Sequence, residues 1–170
     1  MLKQFHYNIE EMLRDKAPLF LLLENIQDPG NLGTMLRTGE GAGVSGIIMS
    51  RDTVDLYNPK VIRSTMGSIY RVPFYYADDF AAAVHQVQQA GVSVYAAHLR
   101  GKNSYACQDY TKGTAFLIGN EGNGLREETA ELADCYIRIP MEGKVESLNA
   151  AVASSILMYE AHRQRATIEK

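Results

Sequence analysis

Tryptophan is absent from the 170 residues, and cysteine occurs only twice, at Cys107 and Cys135. The two have no metal-ligand spacing, so no metal is expected, and their scarcity argues for a reducing, cytoplasmic setting. No apolar run approaches the roughly 20 residues that a membrane span needs, and the first residues lack a signal-peptide pattern. There is no internal repeat and no low-complexity stretch. Positive charge is not in excess either. A formal net charge of −3 excludes a uniformly basic nucleic-acid binder, whose Lys and Arg would neutralise phosphates. Local charge is a separate matter, because Lys60, Arg63, Arg71, Arg100, Lys102, Arg126 and Lys144 fall in or near loops at strand ends. Also missing are a G-x-G-x-x-G after the first apolar run and a G-x-x-x-x-G-K-[ST] anywhere, which excludes the common dinucleotide and P-loop sites.

What is present is an alternation of apolar runs with helical patterns in a chain long enough for one substantial core. Leu19–Leu23 is a continuous apolar run of the kind buried on both faces of a sheet. Asp28-Pro29-Gly30 reads as a turn, with Asn31 capping a helix to about Ala42. Further strands are expected over 45–49, 71–76, 92–97, 114–118 and 136–139. Helices are expected over 9–15, from Asn58-Pro59 to about Met66, from Asp79 to Ala90 with Asp78 as cap and Gly91 as stop, and over 125–133. A last helix opens at Ser147 as cap, with Leu148, Ala151, Val152, Ser155, Ile156 and Tyr159 along one face. Six strands alternating with helices predict an α/β fold, a mostly parallel sheet with helices on both faces.

Three segments carry the chemistry. Asp28-Pro29-Gly30-Asn31-Leu32-Gly33-Thr34-Met35-Leu36-Arg37-Thr38 follows the first strand. Gly119-Asn120-Glu121-Gly122-Asn123-Gly124-Leu125 follows Phe116-Leu117-Ile118. Ile139-Pro140-Met141 through Ser147-Leu148-Asn149 follows the last strand. The crevice beyond the carboxyl ends of parallel strands is where ligands sit, and glycines there let peptide N–H groups approach them.

Together, in this order, the three segments resemble the motifs of the SpoU-type (TrmH-like) RNA ribose 2′-O-methyltransferases of the SPOUT class, over roughly residues 17 to 165. The resemblance implies a trefoil knot at the C-terminal end of the sheet. It also implies S-adenosylmethionine bound in loops near 96–102, 118–124 and 139–148, and RNA (tRNA or rRNA) as substrate. Arg37, Glu121 and Asn149 match the family's catalytic positions, with Asn31 and Ser147 beside them. Ala97, His98, Gly119, Ile139 and Leu148 match positions that contact the cofactor. Residue chemistry alone leaves plainer roles open: a solvated helix arginine, helix caps at Asn31 and Ser147, a turn carboxylate at Glu121, a surface histidine at His98. A guanidinium is a poor base, so Arg37 suits stabilising a developing alkoxide or gripping a phosphate. If the fold brings Glu121 near Arg37, an ion pair between them is expected.

Two features depart from the family pattern. The run Thr38-Gly39-Glu40-Gly41-Ala42-Gly43 is unusually glycine-rich and should loosen its helix by ~1 kcal/mol per glycine unless close packing requires it. The segment before the first strand, residues 1–16, is a short extension, so that 17–170 reads as the catalytic domain. Relatives of this kind pair as homodimers that build the active site together. A non-catalytic RNA-binding or assembly module that kept the fold is the competing expectation.

Overall fold

The computed structural model describes residues 5–168. A seven-stranded, wholly parallel sheet runs through the molecule in the order β3-β2-β1-β6-β4-β7-β5. Its strands are β1 (Leu19–Leu23), β2 (Gly46–Ser50), β3 (Phe74–Ala77), β4 (Ser93–Ala97), β5 (Asn103–Ser104), β6 (Thr114–Ile118) and β7 (Cys135–Arg138). The helices are α1 (Ile9–Met12), α2 (Pro29–Ala42), α3 (Pro59–Thr65), α4 (Phe80–Gln89), α5 (Glu127–Ala130) and α6 (Ala150–Ile168). The alternation of strands and helices was legible, but the expected six strands become seven. β5 has two residues, too short to leave a pattern, and exists because it pairs with Ile137 and Arg138 of β7.

β1 and β6 lie near the middle and are buried at every residue. Their alternate side chains feed two cores. Leu19, Leu21 and Leu23 join residues of α2, α3 and α6 on one face, whereas Phe20 and Leu22 join those of α1 and α4 on the other. Both faces being covered explains why these strands read as unbroken apolar runs.

Several caps fall elsewhere than expected. Asp28, not Asn31, caps α2, its carboxylate accepting from Asn31 N at 2.7 Å. Pro29 can then occupy the first turn, and the Asn31 side chain is released for other work. Asp79 caps α4 by accepting from Ala82 N, while Asp78 pairs with Arg51. Asn149, not Ser147, accepts from Ala151 N and Val152 N at the start of α6. The third strand begins at Phe74 because a 3-10 turn over Ser68–Tyr70 and Pro73 precede it. The helix expected over 125–133 contracts to α5.

The expected apolar face of α6 is also corrected. Ala151, Ser154, Leu157, Met158 and Ala161 are buried, whereas Val152 and Tyr159 remain 48% and 47% exposed. Ser154 is tolerated inside because its hydroxyl donates to Ala150 O at 2.7 Å. The glycine-rich end of α2 proves to be a packing feature. A Cβ on Gly39 would come within 2.9 Å of Val44 Cγ2, and one on Gly41 within 2.8 Å of the Tyr159 hydroxyl. Near the far end of α6 the half-buried Arg165 donates to the carbonyls of Tyr110, Ala17 and Lys112 at 2.7–2.9 Å and to Pro18 O at 3.4 Å. Burial lowers its pKa, outweighing the smaller opposing effect of Asp15.

Candidate active site

Because every strand runs the same way, the loops following β6, β4 and β7 emerge at one end of the sheet. They enclose a cavity of about 240 Å³. All five residues expected to contact a cofactor, Ala97, His98, Gly119, Ile139 and Leu148, line it. Ile118, Leu125 and Met141 add apolar wall, and the peptide groups of the loops supply polar edges. An apolar slot with main-chain polar groups at its rim fits a flat heteroaromatic group carrying a few hydrogen-bonding atoms.

The loop after β6 is built tightly. Asn120 and Gly124 exchange main-chain hydrogen bonds at 3.1 and 2.9 Å, and Asn120 Oδ1 accepts from Gly122 N and Asn123 N. Asn120 Nδ2 reaches across to Asn25 O at 2.8 Å. Gly119 fits only because it lacks a side chain: a Cβ there would stand 2.2 Å from Gly124 C and Leu125 N.

Glu121 points back toward β1 and accepts from Gln27 N at 3.1 Å, Asp28 N at 2.9 Å and Asn31 Nδ2 at 3.3 Å. Burial pushes its carboxyl up, but the Asp28 and Gln27 amides outweigh that and hold it below its usual range. Asn31 Oδ1 in turn accepts from Asn149 Nδ2 at 3.0 Å. One chain of amide and carboxylate bonds therefore joins the three motif segments through Glu121, Asn31 and Asn149. Ser147 lines the cavity as well.

Arg37 is the residue this arrangement leaves aside. It sits on α2 about two turns beyond Asn31, is exposed, and makes no ion pair among the described residues. The expected Glu121–Arg37 pair does not form, because main-chain donors at the start of α2 already fill the Glu121 carboxylate. His98 stacks on Tyr136 with ring centroids 4.8 Å apart, and its Nδ1 accepts from Arg100 N at 3.1 Å. Burial, and then the Arg100 charge, lower its pKa, against a smaller opposing pull from Glu127.

The sequence reading missed a second carboxylate. Glu24, only 2% exposed, accepts from Arg126 N at 2.8 Å, from Thr129 Oγ1 at 2.5 Å and from the Arg126 guanidinium at 3.4 Å. The same guanidinium pairs with Asp52. A lone acid placed directly after a fully apolar strand was the available signal.

Against known proteins, residues 18–159 match the model of the SpoU rRNA Methylase family. A Bacillus subtilis 23S rRNA (guanosine(2553)-2'-O)-methyltransferase, RlmP, is 37% identical over 82% of this chain and 56% of its own. The SpoU methyltransferase AviRb of Streptomyces viridochromogenes, in complex with AdoMet, superposes with a TM-score of 0.87 at 31% identity, over 94% of this chain and 62% of that one. A structure that gives insights into 2-OH methylation of C/U34 on tRNA superposes with a TM-score of 0.81 at 32% identity, over 90% of this chain and 99% of that one. The chain thus spans little more than half the length of the curated relative and nearly all of the last.

Proposed function

The chain belongs to the SpoU RNA methylase family, and from that premise we propose that it transfers a methyl group from S-adenosylmethionine to a ribose 2′-hydroxyl of rRNA or tRNA. The observation that carries this reading is the Glu121–Asn31–Asn149 chain beside an apolar cavity lined by the loops after β4, β6 and β7.

Ile139, Leu148 and the backbone around Gly119 hold the adenosine part, with Ala97 and His98 closing the side toward β4. When bound, the cofactor supplies a methyl group activated by a positively charged sulfur. Transfer would join the methyl carbon to the ribose oxygen as the carbon–sulfur bond breaks, the electron pair staying on sulfur and the hydroxyl proton passing to solvent water. Glu121, with its pKa held low by amide donors, is a weak base, so its part is to orient Asn31 and through it Asn149. The charge that helps the hydroxyl shed its proton comes from Arg37, a cation throughout. Alignment of oxygen, methyl and sulfur supplies the remainder, on the order of 7–11 kcal/mol in favourable cases.

Arg37 is exposed on α2 and does not line the cavity of its own chain, and α6 beside it carries the exposed Val152 and Tyr159. This favours a homodimer in which a second copy brings Arg37 to the cavity. The knotted crossing belongs to the same proposal. It is supported by the convergence of the loops and by Gly101, where a Cβ would stand 2.8 Å from Ile137 C. Residues 17–170 are the catalytic unit, onto which Ile9 and Met12 pack from the preceding segment.

Calorimetric titration with S-adenosylmethionine tests the cavity: saturable binding by the wild type, abolished in Leu148→Arg, is expected. Methyl transfer to unmodified tRNA or rRNA, lost in Arg37→Ala with cofactor binding intact, tests the chemistry. Cofactor binding with no transfer to either RNA would favour a non-catalytic RNA-binding module.

A further inference from the structure

Beside the cofactor cavity lies a second, larger hollow of about 650 Å³, bounded by residues 99–104 and by Arg138, Pro140 and Met141. It shares Leu99, Arg138 and Met141 with the cavity, so the two adjoin. Its charged lining consists of Arg100, Lys102 and Arg138, with no carboxylate among them. In a chain of net charge −3, three cations around one groove are a local reversal of sign.

The side of the groove formed by residues 98–104 is preformed. His98 N donates to Ile137 O at 3.0 Å, Gly101 N to His98 O at 2.9 Å and Arg100 N to His98 Nδ1 at 3.1 Å. β5 then pairs with β7, and Gly101 lies too close to Ile137 to admit a Cβ. The cations are also free to act. Lys102 and Arg138 form no ion pair among the described residues, and Arg100 meets Glu127 only at 3.6 Å with both side chains about 70% exposed. An exposed pair that long is worth little and yields readily to a competing anion.

We propose that this groove binds the RNA sugar–phosphate backbone next to the methylated nucleotide, with Arg100, Lys102 and Arg138 on successive phosphates. The inference rests on the methyltransferase reading and adds the place where substrate is gripped. A strand whose ribose faces the cavity must carry its neighbouring phosphates across the adjoining surface, and this groove adjoins the cavity and carries opposite charge. Phosphate contacts of this kind position a strand without reading its sequence.

The test is fluorescence anisotropy with a labelled single-stranded oligouridylate across a salt series, on the full chain. Each lost phosphate contact lowers the magnitude of the slope of log affinity against log salt by about 0.7 on a single strand. Arg100→Gln/Lys102→Gln should therefore flatten it by about 1.4, with S-adenosylmethionine titration and melting temperature unchanged. Lys112→Gln, next to the opposite end of β6, should leave the slope as it is. A double variant with the wild-type slope, or an equal flattening by Lys112→Gln, overturns the proposal. So does a double variant that loses cofactor affinity and keeps its RNA slope, since the groove would then hold the cofactor's carboxylate. Wild type that binds cofactor but no oligouridylate at low salt sinks the groove and leaves the cavity standing. Wild type that binds no cofactor sinks the methyltransferase reading itself.

Discussion

The two main walls of the cavity are made differently. The wall after β6, residues 119–126, is fastened at almost every residue: to itself through Asn120, to β1 through Glu24 and Arg126, and to the start of α2 through Glu121. In the wall after β7, residues 140–148, no hydrogen bond among the described residues engages the chain, and 142–147 are exposed. That segment is anchored by Ile139 against the core and by Asn149 on Asn31. One wall is a mould held by its own hydrogen bonds, and the other is a flap whose further contacts are expected to come from a bound ligand. Preorganisation on one side keeps the ordering cost of binding to a single segment.

Breaking the mould should have the largest effect. Gly119→Ala forces a Cβ into the Gly124–Leu125 backbone; we expect loss of measurable cofactor binding and a stability loss of about 1–3 kcal/mol, read by calorimetry and denaturant melts. Glu24→Ala leaves Arg126 N and Thr129 Oγ1 without their acceptor, for about 1–3 kcal/mol by chemical denaturation. Asn149→Ala removes a helix cap and the link to Asn31, costing ~1 kcal/mol of stability and a larger share of methyl transfer.

Acid sharpens the contrast further. The folded pKa of Glu121 lies below the ordinary glutamate value of 4.5, so its stabilisation is complete above that pH and fades as pH falls through the folded value. Melting temperatures across that range should fall less steeply in Glu121→Gln. The smallest effect belongs to the flap: Val145→Ser should change stability by no more than ~0.5 kcal/mol. Hydrogen exchange should nevertheless show residues 140–148 gaining protection when S-adenosylmethionine is added, and 119–126 gaining little. Equal gains in both would erase the distinction.

Much of this was legible in sequence because buried parallel strands leave unmistakable runs, as at Leu19–Leu23 and Thr114–Ile118. The loops that follow such strands are where ligands gather, so the cofactor-lining residues could be named. Capping was less legible. Asp28 and Asn31 both suit a helix start, and only the path of Pro29 decides which one serves. The α6 stripe was misjudged because apolar residues surround that helix, and the back-bonded Ser154 is buried while Val152 and Tyr159 of the expected face stay exposed. The Glu121–Arg37 pair failed for a reason no local pattern carries, the competition of main-chain amides from a segment over ninety residues away.

Arg165 has a consequence beyond its own end of the molecule. Asn149 caps the start of helix α6 and ties Asn31, and near the other end of the helix Arg165 gathers carbonyls from the segments that lead into β1 and β6, at the opposite end of the sheet. The helix is thus a tie-rod spanning the domain, tensioned at one end by an amide and at the other by a guanidinium. Slackening the distal anchor with Arg165→Ala is expected to lower the melting temperature and, through the helix, to loosen the Asn149–Asn31 link at the far end.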